Sequence, residues 1–139
     1  MKFARYVFLI AGIYGLLVLV PQYFVEAAGV APSITLPEFF YGFLGVAVAF
    51  QLVFIIISTD PRKYRPMILP SIVEKFSFAI AVAILVYAGR TSGQIVIGAA
   101  LDTLLGVLFI ISWFKLATSD GAEPRHPAPL GASPKRTGR

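Results

Sequence analysis

Ser58–Phe78 reads STDPRKYRPMILPSIVEKFSF, the one densely charged stretch between two long apolar runs. Asp60, Arg62, Lys63 and Arg65 crowd its first part, Pro61, Pro66 and Pro70 punctuate it, and Glu74 and Lys75 are carried into the run that follows. A segment this short and this charged has no core of its own. It reads as a polar hinge joining two apolar helices.

Four apolar runs lie around that hinge: Phe3–Val20, Glu38–Ser58, Ser71–Gly89 and Gln94–Thr118. At about 1.5 Å of rise per residue, each spans, or nearly spans, roughly 30 Å of hydrocarbon as a helix. Strict two-residue alternation is missing, which argues against a β-barrel. Of the 139 residues, 58% are hydrophobic and 14% charged, too little polar surface for a soluble domain. The expectation is an all-α, polytopic membrane four-helix bundle over residues 1–118. A disordered, basic, Pro-rich tail over 119–139 completes it, since prolines and glycines there outnumber large apolar residues.

The formal net charge of +5 raises nucleic acid as a partner, but the basic residues flank apolar runs and gather on no soluble face. The bilayer is therefore the expected partner, and nucleic acid is not. If both termini lie on one side, Lys2, Arg5, Arg62, Lys63, Arg65, Lys75, Lys115, Arg125, Lys135, Arg136 and Arg139 share it, and Arg90 alone lies opposite. Eleven against one predicts cytoplasmic termini and a cytoplasmic hinge, in a bacterial inner (plasma) membrane.

Helix boundaries have their own signals. Thr35-Leu36-Pro37-Glu38, Ser71-Ile72-Val73-Glu74 and Thr91-Ser92-Gly93-Gln94 each read as a capping box, and Asp60-Pro61 as the cap of a short turn. An alternative takes the first run as a cleaved signal peptide, with Lys2 and Arg5 as its basic start and Val25-Glu26-Ala27 as its cleavage site. A nearly full span containing Gly12, Tyr14 and Gly15 favours a retained packing helix.

The chain has no cysteine, and its one histidine, His126, lies in the tail. The apolar part thus has no thiolate or imidazole ligand, and neither a metal nor a cofactor is expected. Asp102 is the outlier. Near the middle of the fourth helix it costs roughly 2.5–3.5 kcal/mol to place in the membrane. Gly98 and Gly106 put small residues one turn to either side, so a neighbouring helix can approach and shield the carboxyl. Asp102 reads as a proton or ligand site, or as a protonated carboxyl gluing two helices together.

Glu74 fits the third position of its capping box, and Lys75 is placed to snorkel toward the interface. Matching depths across the turns sets Glu74, Gln51 and Asp102 about 5 Å apart in successive steps. Glu74 and Asp102 are then about 10 Å apart in depth. With Tyr14 and Ser77, these three form a candidate intramembrane polar track. Arg62, Lys63 and Arg65 form a candidate contact surface for lipid phosphates, acyl carriers or a protein partner, or serve topology alone.

The four helices, the short loops, the DPRKYRP hinge and the IVEKFSF that follows resemble small uncharacterised bacterial four-helix membrane proteins. In broad outline they are similar to the DoxX-like group. The resemblance covers Met1 to about Thr118 and implies a fold, with no functional residues carried over. Small multidrug-resistance transporters fit poorly, because the first helix has Tyr14 where they use a glutamate. So do the cysteine-dependent membrane oxidoreductases.

The leading functional expectation is a non-enzymatic membrane module: an accessory subunit, or a binder of a lipid-like or apolar small molecule. A homo-oligomer fits the lipid-facing surface that four helices leave. The alternative is a proton-linked transporter using Asp102, and the third reading is a membrane enzyme using Glu74 and Asp102 as acid and base.

Overall fold

The structure, a computed structural model, describes residues 1–25, 28, 29, 34–91 and 93–120. The tail beyond Asp120, the Val25-Glu26-Ala27 site and Ser92 of the last capping box lie outside the described residues in whole or in part. The described residues are all-helical and carry four helices long and apolar enough to cross a membrane. These are α1 (Lys2–Leu19), α2 (Pro37–Thr59), α3 (Ile68–Tyr87) and α4 (Gln94–Asp120).

Prolines set the boundaries, in ways that correct two of the expected caps. Pro37 occupies the first turn of α2 as expected, but the capping residue is Leu36, with no side-chain bond from Thr35. The backbone N–H groups of Phe39 and Phe40 bond to the Leu36 carbonyl instead. α3 begins at Ile68, ahead of Ser71, and so contains Pro70. A proline there is tolerated because the first N–H groups of a helix have no intrahelical partner to lose. Ser71 consequently sits inside the helix, its hydroxyl donating to the Met67 carbonyl at 2.7 Å. Glu74 is not the third residue of a cap.

The hinge folds as expected around Asp60, whose Oδ1 accepts the backbone N–H groups of Arg62 and Lys63, both at 3.2 Å. Beyond α1, Val20–Phe24 forms a tight 3₁₀ turn through Pro21. It brings Tyr23 to stack on Tyr41 of α2, with ring centroids 6.0 Å apart.

α1 packs closely on α2 and α3 on α4, with lighter contact between the two pairs. The Lys115 ammonium lies over the Phe3 ring at 4.3 Å, and the Arg65 guanidinium over Trp113 at 4.2 Å. The start of α1, the hinge and the last turns of α4 therefore share one end, the hinge end. The main core lies toward it: Ala4, Phe8 and Ala11 of α1, Phe54 and Ile57 of α2, Ile68 of α3, and Phe109 and Leu116 of α4. Phe8 stacks on Phe109 at 4.2 Å, and Phe54 meets Phe109 edge-on at 5.0 Å.

Candidate functional site

Buried positions on α3 are Ile68, Ser71, Lys75 and Val82, the three- and four-residue spacing of one helix face. On α4 the matching face runs through Ala99, Gly106, Phe109, Ser112 and Leu116, with half-buried Asp102 on the same stripe. Lys75 and Asp102 thus belong to the two faces that meet. The Lys75 ammonium donates to Asp102 Oδ1 at 3.0 Å and, less favourably, to Glu74 Oε1 at 3.4 Å. Glu74 Oε2 lies 3.2 Å away in charge contact alone. The Phe54 ring of α2 faces the same ammonium, centroid 5.3 Å away.

Lys75 is 5% exposed, so it does not snorkel to the interface. The reason is local: an ammonium held between two carboxylates and an aromatic face is better solvated there than its stem could manage in hydrocarbon. The expected depth difference between Glu74 and Asp102 does not keep their carboxylates from one partner: both lie within 3.4 Å of the Lys75 nitrogen. One lysine contacts both, since its long stem spans the step between turns. Two carboxylates against one ammonium leave the group one formal negative charge in excess.

The glycines flanking Asp102 allow the close approach of α3. A Cβ on Gly106 would stand 2.8 Å from the Phe76 ring, inside van der Waals contact, and one on Gly98 would only touch Phe78 at 4.0 Å. Removing side chains from that stripe of α4 is what lets α3 come near enough for Lys75 to reach.

The remaining candidates of the polar track have other partners. Gln51 is 1% exposed and fills the space left by Gly15 on α1, where any Cβ would collide with its side-chain oxygen. Its amide donates to the Ala47 carbonyl one turn back at 2.9 Å, and its Oε1 accepts no hydrogen bond among the described residues. Ser77 is exposed and returns its hydroxyl to the Glu74 carbonyl at 2.8 Å. Tyr14, 38% exposed, lines an apolar groove between α1 and α4 with Ile10, Ala11, Leu101, Leu104 and Leu105, about 170 Å³ in volume. Of the five, then, the structure joins Glu74 and Asp102, through Lys75, which the sequence alone places toward the interface.

In the hinge, Arg65 is half-buried against Trp113, whereas Arg62 and Lys63 are exposed. Among the described residues, no group of three or more His, Cys, Asp or Glu is arranged to hold a metal.

No family model, curated protein or solved structure matches this chain. The geometry therefore carries the functional argument.

Proposed function

We propose that the chain is a non-enzymatic module of the bacterial inner membrane, a four-helix bundle with cytoplasmic hinge and termini. It holds a lipid-like or apolar small molecule between α1 and α4. The observation that carries this reading is the α1–α4 groove, whose walls are apolar throughout. Predominantly apolar walls are the usual lining of a small-molecule site. Of its lining, Ala11 belongs to the main core and Leu105 packs against it.

Purification in lipid nanodiscs followed by mass spectrometry tests it. Wild type retains a small apolar molecule, and Leu104→Trp, which fills the groove, loses it. Retention of a second protein in place of a small molecule would make the chain an accessory subunit instead.

A second reading, proton-linked transport, is favoured by one observation: Lys75 is shared between carboxylates on two helices, leaving one negative charge for a proton to neutralise. In reconstituted vesicles, Asp102→Asn separates the two readings. Loss of proton-coupled flux with folding intact supports transport, and loss of folding alone supports a helix clasp.

A further inference from the structure

At the hinge end, between the first turn of α1 and the last of α2, a recess of about 410 Å³ is lined by Met1, Lys2, Arg5, Thr59, Asp60 and Pro61. We propose that this recess binds one phosphate group, carried by an anionic phospholipid headgroup.

Arg5 is built into the wall. Its Nε donates to the Ser58 carbonyl at 3.0 Å and its Nη2 to the Thr59 carbonyl at 2.6 Å. These are carbonyls that the end of α2 leaves without helical partners. Two bonds fix the plane of the guanidinium and leave three of its five N–H donors for another acceptor. A planar fork held in place is the geometry that phosphate oxygens match best. Lys2 is exposed beside it, with no partner among the described residues.

Asp60, the one acid in the wall, is turned toward the hinge. Its Oδ1 takes the N–H groups of Arg62 and Lys63, which hold the carboxylate at that turn. The recess keeps a positive excess of one from these three side chains.

Position selects the source of the phosphate. Lys2 opens the first candidate span and Thr59 closes the second. The recess thus lies where headgroups lie, and a lipid phosphate meets it without leaving the bilayer. Tyr6, one turn beyond Lys2, and Ile56, one turn before Asp60, are both exposed and can flank an acyl chain.

The test uses the full chain, delipidated in neutral detergent and titrated with phosphatidylglycerol or phosphatidylcholine under native mass spectrometry. Wild type takes up one phosphatidylglycerol at least tenfold more tightly than phosphatidylcholine. Lys2→Gln weakens that uptake about fivefold, as expected for one cation near an anionic headgroup, while Asp60→Asn strengthens it. Arg5→Gln weakens it further, but it also frees the end of α2, so Lys2→Gln and Asp60→Asn decide if that variant does not fold. Competition by inorganic phosphate would assign the site to free phosphate as well as to lipid, and resistance to it assigns the headgroup. Equal uptake of the two lipids, or an unchanged preference in both Lys2→Gln and Asp60→Asn, overturns the proposal.

Discussion

The two halves of the helix assembly are packed on different terms. Toward the hinge end, Phe8, Phe54, Phe109, Ile57 and Ile68 are completely enclosed, and the three rings form one continuous cluster. Toward the opposite end the enclosed side chains are fewer and smaller, Leu44, Ala47, Val82 and Ala99, and α1 stands off from α4 across the Tyr14 groove. Apolar content does not separate them, since both halves are apolar throughout. In a membrane, an apolar side chain gains little by turning away from lipid, so close packing has to come from shape and from polar contacts. In the hinge half the contacting rings are enclosed, whereas the stacked pairs of the other half, Phe43 on Phe78 and Tyr23 on Tyr41, are not buried. The Lys75 group lies where the two regimes meet.

Substitutions can break that contrast, and the largest effect should come from the junction. Lys75→Met leaves Glu74 and Asp102 facing each other without an ammonium. About 3 kcal/mol of stability is expected to go, measured by reversible unfolding in mixed micelles. The double variant Lys75→Met with Asp102→Asn should recover part of that loss. A further loss would mean that Asp102 stabilises the bundle through contacts other than the one with Lys75.

Phe54→Ala opens a cavity in the ring cluster. Because transfer from lipid contributes little, only the lost contacts count, roughly 2–3 kcal/mol. Gly12→Ala forces a Cβ to within 2.7 Å of Ile55 Cγ1 and 2.9 Å of the Gln51 carbonyl. The second neighbour is backbone and yields poorly, so a loss of about 1–3 kcal/mol is expected. Leu104→Ala, in the open half, should cost less than about 0.5 kcal/mol, because Leu104 is already more than half exposed. If Leu104→Ala destabilised as much as Phe54→Ala, the two halves would not differ in kind.

The four spans were legible in the sequence because length and hydropathy alone set them, and the structure carries four such helices within a few residues of the expected ends. The start of α3 differs from the expected one for a definite reason. Pro70-Ser71 looks like a boundary, yet a proline within the first turn costs no hydrogen bond, so the helix reaches back to Ile68. Asp102 and its flanking glycines were legible as a place where another helix comes close.

Lys75 was not legible. In a helix apolar on all sides, periodicity hardly distinguishes an interior face from a lipid-facing one. Glu74 and Lys75, adjacent in sequence, point about 100° apart. The available signal was the spacing Ile68, Ser71, Lys75, Val82, which sets the lysine on a face with Ser71 and away from Ser77. It decides the matter only once that face is known to be the packed one. Gln51 was harder still, because its enclosure depends on the missing side chain of Gly15 in another helix.

The pairing of Gln51 with Gly15, and of Lys75 with Asp102, has a consequence for biogenesis. Each polar side chain is covered by the helix next to its own along the chain: α1 covers the amide of α2, and α4 receives the ammonium of α3. The protein can thus leave the translocation machinery as two successive helical hairpins, each with its most costly group already out of lipid. The halves then need only find each other through their aromatic faces.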